Sequence, residues 1–330
     1  MKYADERRLL LQTRIHLMLQ DLPSFCHMFF FDKQQKQSIR TLERFIYTLR
    51  QFFNFLSTVA EKNAKDFIIA DLDKITISHM KTFMKIFQDQ KLDNSTVAEK
   101  IYSMAAFFKY FNRQELMKGN PASLIETPKR IDKPIIRLVN DEIPRILNCI
   151  NNKTRLANGR RRVNEKLLVR DKTVMMMFLL TGIRLSELVG LDIGDIDLHN
   201  AQFTILGKGG KHYWICMNDE LAHQVRAYID QLEYSSTDEP LFRSFTGTRF
   251  LTKNVNEMVK QYARWAGIKT KISPHALRRT FGTNMYKKTR DITVVSDLLR
   301  HSNINTTKKH YVDVDDIVMR EALDGFSVLV

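Results

Sequence analysis

Helical periodicity runs through the first third of the chain and stops at Asn120-Pro121, and the stretch from there to Pro134 carries three prolines with Lys129, Arg130 and Lys133 among them. Proline has no backbone N–H and a fixed φ, so no continuous helix crosses such a stretch. The chain must therefore fold as two bodies: a helical domain over residues 1–125, a basic linker over 126–137 and a second domain over 138–330. With 330 residues, 44% of them hydrophobic, both bodies can bury a core. The linker's charges either touch a polyanion that passes between the domains or are simply solvated.

In the first domain, Leu42, Phe45, Ile46, Leu49, Phe52, Phe53 and Leu56 recur at three- and four-residue steps from Ser38 to Ala60, with Arg40, Arg44 and Arg50 between them. That pattern predicts an amphipathic helix with a basic face. Ser78–Phe87 and Ser95–Phe111 repeat it, the latter behind a capping signal at Asn94-Ser95, and an earlier helix spans Arg7–Leu19. The expectation is a bundle of four or five helices whose aromatic residues form its core, because their spacing is helical.

The second domain has a different texture. Asp141–Cys149 and Lys166–Leu180 read as helices, and Ala201–Leu206 and Tyr213–Met217 as two strands joined by the turn Gly207-Lys208-Gly209-Gly210-Lys211. Helices resume at Glu220, and Ser273-Pro274 is a start signal for another. The fold class is thus mainly α with a small antiparallel β-sheet.

The formal charge of +15 and pI near 9.7 describe a surface that attracts a polyanion, nucleic acid being the commonest. Cys26, Cys149 and Cys216 are far apart and odd in number, which suits a reducing, cytoplasmic setting better than a disulfide framework. The apolar run Met28–Phe31 is far shorter than a membrane span, so no membrane partner is expected. Neither a metal-ligand spacing nor a glycine-rich nucleotide loop is present in the sequence, so no metal or other cofactor is expected.

Chemistry concentrates near the C-terminal end, where His275-Ala276-Leu277-Arg278 is followed by Leu298-Leu299-Arg300-His301 and Lys309-His310-Tyr311. Cleaving a phosphodiester without a metal requires these residue types: arginine neutralises the phosphate, histidine moves protons and tyrosine attacks phosphorus. Thr181-Gly182-Ile183-Arg184-Leu185-Ser186-Glu187-Leu188 adds a second arginine. Arg184 either serves that chemistry or only pairs with Glu187 one turn on. His275 either works with Arg278, three positions away on the same helical face, or is a buried structural histidine.

With these segments in order, the second domain resembles the tyrosine recombinase (phage integrase) family, and the helical first domain resembles that family's core-binding domain. The resemblance implies that Arg184 and Arg278 clamp the scissile phosphate, with Glu187 orienting Arg184. It implies Lys208 as the general acid, with Lys211 a competing candidate. His275 would move the nucleophile's proton, His301 would hydrogen-bond the phosphate, and Tyr311 would be the nucleophile, with Tyr286 a distant fallback. Two departures stand out: Arg300 occupies a place that is usually glycine, and His301 to Tyr311 spans one position more than usual.

The function implied is site-specific recombination through a covalent 3′-phosphotyrosine and a Holliday junction, without metal or ATP. Its partners would be double-stranded DNA with an inverted-repeat core site and a homo-tetramer on synapsed DNA. A type IB topoisomerase-like enzyme and a catalytically silent DNA-binding regulator are the alternatives. Within the family, an Xer-type chromosome resolver and a mobile-element integrase remain open. The segment Asp316–Val330, with Ile317, Val318 and Leu323 as an apolar stripe, is expected to dock on a neighbouring protomer or to fold back on its own domain.

Overall fold

The computed structural model describes residues 3–129, 134–139, 141–151, 165–207, 210–301, 303–305 and 307–308. Lys208, Tyr311, the segment Asp316–Val330 and residues 130–133 of the expected linker lie outside the described residues. The chain divides into two compact units, Met1–Lys133 and Pro134–Val330.

The first unit contains α1 (Tyr3–Leu19), α2 (Cys26–Gln34), α3 (Ile39–Ala60), α4 (Ile77–Asp89) and α5 (Asn94–Arg113), with 3-10 turns between α3 and α4 and after α5. Helix α3 starts where the Ser38 hydroxyl accepts from the Thr41 N–H, and all seven residues of its expected apolar stripe are buried. Of its basic residues, Arg44 pairs with Glu99 at 3.1 Å and Arg50 with Asp21 at 2.9 Å, so part of that face is engaged within the unit. Helix α5 begins one residue earlier than expected because Asp93, not Asn94, supplies the capping oxygen, to the Ser95 N–H.

The core is aromatic. Phe29, Phe52, Phe53, Phe83, Phe107, Phe108 and Phe111 are fully buried, and their rings meet mostly edge to face. Burying each contributes about 1.5–3 kcal/mol, with edge-to-face pairing adding to it. Helix α2 has no counterpart in the periodicity reading: it is short and has no side-chain cap, and Phe29 and Phe30 dock it onto this core.

The second unit contains α6 (Glu142–Asn151), α7 (Glu165–Thr181), α8 (Leu185–Leu188), β1 (Ile196–Asp197), β2 (Gln202–Leu206), β3 (His212–Cys216), α9 (Asp219–Ile229), α10 (Thr252–Trp265), α11 (Pro274–Thr289) and α12 (Ile292–Leu298). The sheet is antiparallel in the order β1-β2-β3, with Phe203 opposite Ile215 and Ile205 opposite Tyr213. The fold is mainly α with a small sheet, as expected, and β1 adds a third strand to the two anticipated. Helix α7 is the central element, buried from Val174 to Leu179 and packed against α9 and α11. No helix among the described residues is long and apolar enough to cross a membrane.

Candidate active site

Helix α7 ends at Thr181, where the chain reverses through Gly182 at φ +59°. A side chain there would be strained in this left-handed conformation, and its Cβ would run into the Phe281 ring and Leu299. The reversal places Arg184 as the N-cap of α8. The Arg184 N–H donates to Glu187 Oε2 at 2.9 Å, and its guanidinium Nη1 donates to Oε1 at 2.6 Å. Glu187 therefore caps the helix and holds the arginine with one carboxylate.

Helix α11 begins where the sequence signals it, with the Ser273 hydroxyl accepting from the Ala276 N–H and Pro274 in the first turn. His275 lies on that first turn and is exposed, while Arg278, one turn on, is buried. Thr280 on the same helix accepts from the Leu138 N–H at 2.9 Å, which ties the start of this unit to α11.

Helix α12 closes with two reverse hydrogen bonds, His301 N–H to the Ser296 carbonyl at 3.0 Å and Arg300 N–H to the Asp297 carbonyl at 2.9 Å. This is a Schellman closure, which requires a left-handed residue just past the helix, usually glycine. Arg300 fills that place at φ +55°. The preceding Leu299 is buried with Phe281, Tyr286 and Val295, and this fixes its carbonyl.

That carbonyl is the centre of the site. Arg278 donates from one Nη to the Leu299 carbonyl and from the other to the Gly182 carbonyl. Arg184 Nη2 donates to the Arg300 carbonyl at 2.6 Å and lies 3.4 Å from the Leu299 carbonyl. Two guanidiniums 94 positions apart in the chain thus share one main-chain oxygen, and His301 stands two positions further along. His301 Nδ1 lies 2.7 Å from the buried Thr307 hydroxyl. The Arg184 side chain stays 40% exposed.

Arg300 Nη2 reaches Glu187 Oε2 at 3.3 Å, so this carboxylate lies between two arginines. Burial raises the Glu187 pKa, but the Arg184 N–H, the Arg184 guanidinium and Arg300 outweigh it and hold the carboxyl below its usual range. Burial pushes the Arg300 pKa down, with Arg184 acting in the same direction and Glu187 against it.

On the hairpin, the Gly207 N–H donates to the Lys211 carbonyl at 2.7 Å and closes the turn, and Lys211 itself is exposed. Tyr286 is buried in the apolar cluster beside Phe281 and Leu299. The structure thus gathers Arg184, Glu187, Arg278 and His301 at one turn and sets His275 at the head of the helix that carries Arg278. Sequence reading gave no functional part to Thr307 or to the Leu299 carbonyl; neither a lone hydroxyl nor a main-chain oxygen leaves a motif.

Known proteins resemble this chain over most of its length. Residues 137–317 match the model of the phage integrase family. A tyrosine recombinase XerC of Natranaerobius thermophilus is 27% identical over 85% of this chain and 92% of its own length. A XerD of Oceanobacillus iheyensis is 28% identical over 72% and 78%. Among solved structures, the XerH site-specific recombinase bound to a palindromic difH substrate superposes with a TM-score of 0.67 at 19% identity, over 88% of this chain and 81% of that one. The Tn1549 transposon integrase in complex with transposon right end DNA gives 0.62 at 19% identity, over 90% and 98%. The chain belongs to the phage integrase family of tyrosine recombinases.

Proposed function

We propose that this protein is a site-specific DNA recombinase that cleaves and rejoins one strand pair at a time through a covalent 3′-phosphotyrosine and a Holliday junction, without metal or ATP. The observation that carries the reading is the convergence of Arg184 and Arg278 on the Leu299 carbonyl beside His301. Two planar guanidiniums at one spot suit a phosphate's two non-bridging oxygens, since each can present parallel N–H donors. Charge that grows on those oxygens in the pentavalent transition state is then met by donors already in place.

In this reading the Tyr311 hydroxyl oxygen attacks phosphorus, and the bond to the 5′ oxygen breaks. His275 takes the phenol proton, and Lys208 gives a proton to the departing 5′ oxygen. Lys208 is preferred to Lys211 for its place directly after β2, and the burial of Tyr286 in an apolar cluster supports Tyr311 as the nucleophile. His301, fixed by Thr307, adds a hydrogen bond to the phosphate. The 3′-phosphotyrosyl bond keeps the energy of the broken backbone for rejoining.

The chain would act as a homo-tetramer on double-stranded DNA that carries inverted-repeat core sites, in the cytoplasm, with residues 1–125 as the core-binding domain. Relatives named tyrosine recombinases over most of this chain's length support the assignment.

A nicked suicide site tests it. Wild-type protein should form a protein–DNA adduct on a denaturing gel, in excess EDTA as well as in magnesium, and Tyr311→Phe should form none. A substrate with sulfur at the 5′-bridging position has a leaving group that needs no proton, so it should rescue Lys208→Ala and not Arg184→Ala. An adduct with Tyr311→Phe as abundant as wild type would remove the tyrosine from its role, and absence of any wild-type adduct would favour a silent DNA-binding protein.

A further inference from the structure

We infer that Arg300 is a positioning residue for Arg184, acting through Glu187; the inference rests on the reading of Arg184 as a phosphate-binding arginine. Arg300 stands at a place whose backbone suits glycine, at φ +55°. Holding a residue with a Cβ in that left-handed conformation costs stability relative to glycine. The side chain recovers this by what it touches. Its Nη1 donates to the Leu298 carbonyl at 3.0 Å, and its Nη2 reaches Glu187 Oε2 at 3.3 Å.

Charge explains why that contact matters. An Arg184–Glu187 pair alone is neutral, so the carboxylate 2.6 Å from Arg184 would cancel much of the field that Arg184 offers a phosphate. Arg300 brings the trio of Arg184, Glu187 and Arg300 back to one net positive charge. Its side chain is 11% exposed and that of Glu187 is 7% exposed, so the compensation acts where solvent screens weakly. Arg184, at 40% exposed, is the member of the trio with an open face. Arg300 thus leaves the phosphate to Arg184 and keeps the carboxylate both anchored and neutralised.

The test uses full-length protein, the nicked suicide site under single-turnover conditions, and half-site affinity measured separately. Arg300→Gly relaxes the backbone while removing the charge. It should slow cleavage about tenfold while half-site affinity stays within about twofold and the thermal midpoint does not fall, a pattern that separates transition-state loss from binding or folding. Arg300→Lys keeps both the backbone cost and the charge and should cleave within about threefold of wild type. In a Glu187→Gln background, Arg300→Gly should add no further loss, because the carboxylate it acts through is gone.

Wild-type cleavage by Arg300→Gly, an Arg300→Lys as slow as Arg300→Gly, or losses that multiply in the double variant would each overturn the inference. Arg184→Ala serves as the control. If it cleaves normally, the phosphate-binding reading falls and takes this inference with it; if it is inactive while Arg300→Gly is normal, only the positioning role is lost.

Discussion

Both units bury an apolar core, but they differ in the polar groups they bury with it. In the first, the buried polar side chains among the described residues are Thr48 and Ser103, and each hydroxyl donates to a carbonyl one turn back on its own helix. The rest of its buried centre among the described residues is apolar, aromatic and aliphatic side chains with Cys26 and five methionines, and Arg44 and Arg50 pair with acids at the surface. The second unit buries Arg170, Asp171, Asp192 and Arg278. Arg170 donates to Asp171 at 2.6 Å and to the Arg243 carbonyl at 2.7 Å, its guanidinium lies 4.0 Å over the Phe250 ring, and the Tyr262 hydroxyl donates to Asp171 at 3.0 Å. Apolar packing is tight but sets no single direction for the groups that meet in it. A buried ionic network demands fixed geometry, and that rigidity suits the unit that must hold two guanidiniums in register.

Phe107→Ala should show the largest effect that breaks this contrast or sharpens it. Phe107 is fully buried and its ring meets Phe29 at 5.3 Å and Phe111 at 5.0 Å. Emptying that space should cost the first unit about 3–5 kcal/mol. Both tryptophans, Trp214 and Trp265, lie in the second unit, so tryptophan fluorescence reports that unit while circular dichroism follows both. The variant should show an early helical loss in urea with an unchanged fluorescence midpoint; a fluorescence midpoint that shifts equally would mean the two cores are not energetically separate.

Asp171→Ala is the complementary change. It leaves Arg170 buried without its carboxylate and the Tyr262 hydroxyl without its acceptor, at an expected cost of about 3 kcal/mol, read by fluorescence. Asp171→Asn keeps an acceptor and should recover part of that. If Asp171→Ala is as stable as wild type, the ionic network contributes no more than an apolar filling would.

The smallest effect is one of pH. The folded-state pKa of Glu187 lies below its unfolded value, so its contribution is complete above about pH 4.3 and is lost as the pH falls through the lower folded value. As the pH falls below about 4.3 the second unit of wild type should therefore weaken more than that of Glu187→Gln, read from urea midpoints at successive pH values. Parallel pH dependences in the two proteins would show that Glu187 gains nothing from its arginines.

Much of this architecture could be read locally. Ser38 and Ser273 announce helix starts because capping is a contact within three residues, and α3 declares its buried face by its period. Helix α2 could not be read, since Phe25 offers no capping side chain and tertiary docking of Phe29 holds it in place. Strand β1 is two residues whose only reason to be extended is pairing with Gln202 and Phe203. At the site, Arg184 and Arg278 are legible as motif members, but their meeting point is a carbonyl, which every residue carries. Arg300 looked from the sequence like a disturbance of a turn; its left-handed φ and its reach to Glu187 exist only in three dimensions.

The shared Leu299 carbonyl has a consequence for tolerance to motion. Any displacement of the turn that carries it moves the reference point of Arg184 and of Arg278 together, so their errors are correlated. In the proposed role, a phosphate held through two oxygens depends on the spacing between the two guanidiniums more than on where the pair stands. Because Arg278 also holds the Gly182 carbonyl and Arg184 also holds Glu187, wandering of the end of α12 must work against these second anchors before it can separate the two guanidiniums.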